Sequence, residues 1–290
     1  RLVGSEMCIR DRFCIVPLVR GRELSRRPAD IVREVQQLAD QGVVEVTLLG
    51  QNVNSYGRDL ETNGRRPIFA DLLRRVGEVE GVSRVRYTSP HPKDFQEDVA
   101  VAMAETPSVV EQLHLPLQSG SDRILAAMHR GYNADRFLAK LDLARRAIPD
   151  LTVSTDIIVG FPGETEEDFQ ATLDVAAAAR FDSAFMFQYS PREGTPAATM
   201  EGHIDAAVIQ ERFGRLVELQ NRITLERNVE MEGGVYEVMI EGPSRKNPEM
   251  ATSRTRGNKL VHLPGTWSPG TVLDAEIIRA APHHLMGRPI

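Results

Sequence analysis

Amide, hydroxyl, carboxylate and glycine residues gather in this chain at polar corners that each follow an apolar run. The corners read LLGQNVNSYG (48–57), YTSPHP (87–92), HLPLQSGSD (114–122), IIVGFPGET (157–165) and QYSPREGTPA (188–197). In the first, Gln51 and Asn52 offer amide groups suited to a zwitterion, and equally to a turn held by Asx bonds. In the third, Gln118, Ser119 and Ser121 are neutral hydrogen-bond partners for a ribose or a carboxylate. Ser154 and Asp156 stand two apart, so they share one face of a strand. Gly160 opens a glycine-rich corner before a helix start, a generic anion or adenine platform. Tyr189 and Arg192 end the last corner, and a guanidinium there can pair with a carboxylate or phosphate. Cys14, in FCIVPLVRGRE (13–23), is the one thiol in a plausible ligand setting; alone it would read as an ordinary buried cysteine. The seven histidines make no metal constellation. His91 and His114 read either as pocket residues or as structural ones.

The elements that must carry these corners alternate strand and helix. Apolar, β-branched runs predict strands over 43–50, 82–89, 109–117, 151–161 and 181–190. Helices are predicted over 28–42, 68–81, 95–105 and 134–147, from a Ser121 cap, and from Thr165 onward. A long helix over 205–227 follows. Repeated strand-then-helix order implies a parallel sheet with ligands at the carboxyl ends of its strands, where the polar corners fall. From 228 the pattern changes to short strands between Gly-Pro turns, the mark of a small β-barrel. Arg245, Lys246, Arg254, Arg256 and Lys259 face only one nearby acid, Glu249, and read as an RNA-phosphate patch or as a solvated hairpin.

Taken in order, these segments resemble the radical S-adenosylmethionine (SAM) methylthiotransferase family. FCIVPLVRGRE is similar to the end of its C-x3-C-x2-C cluster motif and the stretch that follows. LLGQNVNSYG resembles the tRNA-modifying branch. HLPLQSGSDRILAAMHRGY, STDIIVGFPGETEEDF and QYSPREGTPAA resemble the later barrel strands. The resemblance implies an α/β fold, a partial (βα)6 TIM-like barrel lacking its first strand over 13–227, and a small all-β TRAM barrel over 228–290. It implies a 4Fe-4S cluster with Cys14 as ligand, a second cluster in an N-terminal domain, and SAM held by Gln51, Asn52, Gln118, Ser119, Ser154, Asp156, Gly160, Tyr189 and Arg192. The implied reaction is radical methylthiolation at C2 of N6-dimethylallyladenosine beside the tRNA anticodon. The implied partners are the anticodon stem-loop and an electron donor, for a cytoplasmic monomer. Two alternatives stay open: methylthiolation of a ribosomal-protein aspartate, and an inactive RNA-binding fragment.

The cluster motif is incomplete. Met7 and Asp11 stand where its first two cysteines belong, and Cys8 is out of register. Residues 2–12, LVGSEMCIRDR, resemble a translated transposon-type sequencing adapter, so residues 1–12 are expected to be non-native and to pack against nothing specific. The chain as it stands is expected to be inactive. A formal net charge of -6 requires any RNA contact to be a local patch. No run reaches the roughly 18 apolar residues of a membrane span, and the cysteine usage excludes a disulfide framework.

Overall fold

The computed structural model describes residues 12–16, 24–60 and 68–290. Cys8, the non-cysteine positions 7 and 11, and the 17–23 stretch lie outside the described residues. An α/β half-barrel is built from α1 (Pro28–Ala39), β1 (Glu45–Leu48), α2 (Phe69–Gly77), β2 (Arg84–Tyr87), α3 (Glu97–Glu105), β3 (Gln112–His114), α4 (Asp122–Ala127), α5 (Ala134–Ala147), β4 (Thr152–Val159), α6 (Glu166–Ala179) and β5 (Ser183–Gln188). Pairing is parallel throughout: β1 with β2, β3 with β4, and β4 with β5. A single bridge from Val85 to Val109 carries the surface on from β2 towards β3. The expected strand order is therefore met by five parallel strands among the described residues.

The outer face of the strands and the inner faces of the helices make one apolar core, with Leu72, Leu73, Phe95, Phe137, Phe169 and Phe181 fully buried. Burial on this scale is what sets strand register, since a one-residue slip would turn the apolar row outward. Helix starts follow local chemistry. Pro28 opens α1, Asn133 accepts from the Arg136 N–H at the start of α5, and Thr165 with Asp168 forms a capping box on α6. Gly120 lies so close to α6 that a Cβ would run into the backbone of Ala171 and Thr172.

Strand β3 is shorter than its apolar run. The chain bends past His114, yet Leu115 N–H still donates to Ser154 O and Gln118 N–H to Asp156 O. Helix α7 (Ala206–Val229) then crosses the sheet edge, where Gln220 donates to Phe181 O. Beyond it β6 (Val235–Pro243), β7 (Met250–Thr255), β8 (Leu260–Pro264), β9 (Val272–Ala281) and β10 (His284–Pro289) close into a barrel of order β10-β8-β7-β6-β9. Its own core is Val238, Ile240, Val261, Leu263, Ile277 and Leu285. No helix among the described residues is long and apolar enough to cross a membrane.

Candidate functional site

The carboxyl ends of β1–β5 form one mouth, and the side chains there are positioned by an internal hydrogen-bond frame. Asn52 is wholly buried, and its Nδ2 donates to Asp94 Oδ2 at 2.7 Å and to Ser55 Oγ at 2.8 Å. Asp94 also accepts from Ser55 Oγ and, on Oδ1, from Arg58 at 2.6 Å. Three donors on one carboxylate fix the Asn52 amide, leaving its Oδ1 buried without a partner. Asp94 was not singled out in the sequence, because it reaches the corner from 42 residues away. Gln51 lies half-buried beside Asn52.

At the fourth corner Gly160 has φ +82, a left-handed conformation that favours glycine. Its N–H donates to Glu164 Oε2 at 2.9 Å, and Arg212 donates to the same oxygen at 3.1 Å. Burial raises the Glu164 pKa, against the pull of the Gly160 N–H and Arg212. Its Oε1 has no partner. Gln118 holds a left-handed φ of 68 and also leaves Oε1 unpartnered. Tyr189 packs edge-on to Phe161 at 5.3 Å with its hydroxyl unpartnered. Nine buried side-chain polar atoms lack a partner among the described residues, and six belong to Asn52, Asn54, Gln118, Glu164 and Tyr189, all at these corners. Buried polar atoms are normally satisfied, so their concentration at one mouth marks a place for a polar ligand.

The Cys14 segment runs to this mouth. Phe13 stacks edge-on against Phe161 at 6.4 Å, Arg12 N–H donates to Met128 O, and Ala197 N–H donates to Arg12 O at 2.9 Å. Arg12 thus corrects the expectation that residues 1–12 pack against nothing; the rest of that segment lies outside the described residues. Cys14 itself is half-buried.

Other expected site residues have different surroundings. Ser119 is wholly buried; its hydroxyl meets Thr172 Oγ1 and accepts from Ser121 N–H, so it holds the corner in shape. Ser121 caps α4 and donates to Asp168. Ser154 and Asp156 do share the lumen face, but lower down, where His114 bridges them. Nδ1 lies 2.9 Å from Ser154 Oγ, and Nε2 lies 3.3 Å from Asp156 Oδ2. Arg192 is exposed at the rim. His91 is structural: burial, then Arg130 and Lys93, push its pKa down to about 2, and its Nδ1 accepts from Lys93 N–H.

The basic run of the small barrel divides. The turn after β7 sits under the amino ends of the half-barrel strands. Arg256 forms a bidentate pair with Glu111 at 2.7 and 2.9 Å, and Lys259 meets Asp182 at 2.9 Å and Asn228 at 2.8 Å. Thr152 Oγ1 donates to Gly257 O. From the lumen, Arg84 donates to Glu237 and Arg254 O, and Arg86 to Thr255 O and Arg256 O. Arg256 and Lys259 are therefore docking residues between the two modules, which corrects their expected place in a phosphate patch. Arg254 pairs with Glu241 at 2.8 Å and stays partly open, while Arg245 and Lys246 are exposed.

Family models match two stretches, the Radical SAM superfamily over residues 12–176 and the TRAM domain over residues 229–290. Proteins named tRNA-2-methylthio-N(6)-dimethylallyladenosine synthase are similar to the chain. That of Mycobacteroides abscessus is 54% identical over 286 residues, and that of Clavibacter michiganensis is 56% identical over 282. Each match covers 94% of this chain, but only 56% and 53% of those relatives, so the chain spans about half their length. Among solved structures, the radical SAM methyltransferase TsrM of Kitasatospora setae superposes with TM-score 0.54 at 19% identity, over 68% of this chain and 37% of that one. Methylornithine synthase (PylB) gives 0.50 at 15%, over 73% and 59%; both are likenesses of fold. A half-barrel with its polar corners at one mouth, matched by that family model over more than half its length, belongs to the Radical SAM superfamily.

Proposed function

We propose that this chain is the SAM-binding and RNA-holding part of a tRNA methylthiotransferase, one that places a methylthio group on C2 of N6-dimethylallyladenosine. The observation that carries the reading is the set of unpartnered buried acceptors at the mouth, beside the Cys14 segment, in a chain more than half identical to proteins so named. SAM offers an ammonium and ribose hydroxyls. Asn52 Oδ1, Gln118 Oε1, Glu164 Oε1 and the Tyr189 hydroxyl are acceptors suited to those donors. Asp94 orients the first of them and Arg212 the third. When bound, SAM supplies the radical chemistry of this superfamily; the chain's part is binding, orientation and exclusion of water.

A 4Fe-4S cluster that keeps one iron open for SAM takes three thiolates from the protein. This chain contains two cysteines, with Met7 and Asp11 at the motif spacing from Cys14. Its residues do not fit that cluster.

The anticodon stem-loop as the part of tRNA held, an external electron donor and a monomeric state belong to the same proposal. The GQNVN corner favours an RNA target over a ribosomal-protein aspartate. Binding separates the two readings. The chain should hold an anticodon stem-loop carrying N6-dimethylallyladenosine several-fold more tightly than its unmodified form. Equal affinity for both, or affinity for neither, overturns the RNA reading.

A further inference from the structure

Away from the mouth, the half-barrel and the small barrel enclose a second cleft of about 260 Å³. Phe185 on β5, Gln220 on α7 and Arg254 at the end of β7 line it from three directions. Phe185 is 58% exposed, unusual for an aromatic ring on a strand. Its ring neighbour His114 stands edge-on at 5.9 Å, held by Ser154 and Asp156. Gln220 is 2% exposed; its Nε2 donates to Phe181 O and Thr224 Oγ1, and its Oε1 has no partner. Asp182, the acid of this cleft, is matched by Lys259 at 2.9 Å and by Arg227 at 3.4 Å. Arg254 in turn pairs with Glu241 at 2.8 Å, so the charges of the cleft are matched and its open features are the Phe185 ring and the Gln220 acceptor.

An open aromatic face and an unfilled amide acceptor are the parts of a subsite for one unstacked base. The ring stacks a base, and the amide oxygen accepts from a base N–H. The volume is below the roughly 300–1,000 Å³ of drug-sized sites and suits one ring system. Resting on the tRNA reading above, we propose that this cleft takes one unstacked base of the bound RNA, distinct from the target nucleoside, with Phe185 as its stacking platform and Gln220 Oε1 as its acceptor.

Fluorescence anisotropy with a labelled anticodon stem-loop oligonucleotide tests this on the whole chain. Phe185→Ala should weaken binding about tenfold, within the range of base–aromatic stacking, and Phe185→Trp should hold it within about twofold of the parent. A blunt RNA duplex of equal length, which has no unstacked base to offer, should not distinguish the three proteins. Since Phe185 is more than half exposed, the truncation leaves the core intact, as an unchanged melting temperature would confirm. If Phe185→Ala binds as tightly as the parent, or Phe185→Trp falls with it, the subsite is overturned and the RNA reading survives. If the parent binds no stem-loop at all, both fall.

Discussion

Two buried carboxylates hold the mouth in shape, each joining corners far apart in sequence. Asp168 accepts from Arg123, from Ser121 Oγ at 2.5 Å, and from Thr165 through both its N–H at 2.8 Å and its hydroxyl at 2.9 Å. Burial alone would raise its pKa, but these hydrogen bonds outweigh it and hold the carboxyl well below the usual range. An acid with a depressed folded-state pKa contributes stability above its unfolded value, near 3.9, and loses it as pH falls toward the folded one. Melting temperature should therefore drop for the parent as pH falls below about 4. Asp168→Asn should be less stable at neutral pH and show a smaller drop across that window. Asp94 holds the first corner through its hydrogen bonds to Asn52, Ser55 and Arg58. Asp94→Ala would strand the Asn52 and Ser55 donors and should lower the unfolding free energy by about 1–3 kcal/mol, read by urea denaturation. Neither carboxylate was visible as such in the sequence. Asn52 lies 42 residues from Asp94 and Ser121 lies 47 from Asp168, distances that no local pattern spans.

At the level of elements, helices were more legible than strand ends or docking faces. Helix α5 occupies the predicted 134–147, because Asn133 caps it and Phe137, Leu141 and Ala144 repeat on one face. The 109–117 run gave three residues of strand, since apolar content marks burial and the chain bends while staying buried. In β2, Arg84 and Arg86 alternate with Val85 and Tyr87, a pattern that in water would turn the arginines outward. Here Arg84 is 0% exposed, because that face meets the small barrel. The turn after β7 is the other half of the contact. Its basic residues read as an RNA patch because Glu111 lies 145 residues away from Arg256. Arg256→Ala should loosen the docking by about 1.5–3 kcal/mol, the range for hydrogen bonds to charged groups, seen as faster proteolysis between the modules. It should leave the salt slope of RNA binding unchanged. Arg245→Ala with Lys246→Ala should do the reverse, with stability unchanged and the slope reduced by about two units if both meet phosphates.

For the whole molecule, the parallel half-barrel, the closed small barrel and the helix between them followed from the order of strands, helices and Gly-Pro turns. The position of one module under the other did not, because it depends on ion pairs between distant segments. The mouth and the docking face lie at opposite ends of the strands. The polar corners and the inter-module contacts are thus separated, and a change at one end should leave the other standing.

The proposed SAM site at the mouth lies beside Cys14, while Met7 and Asp11 stand where a three-thiolate cluster would need cysteines. Anaerobic reconstitution with iron and sulfide, followed by iron analysis, tests this reading most directly. The chain as it stands should retain far less than one cluster per molecule, and Met7→Cys combined with Asp11→Cys should bind about four irons and then bind SAM measurably more tightly. Stoichiometric iron in the unaltered chain, or none in the double variant, would contradict the account.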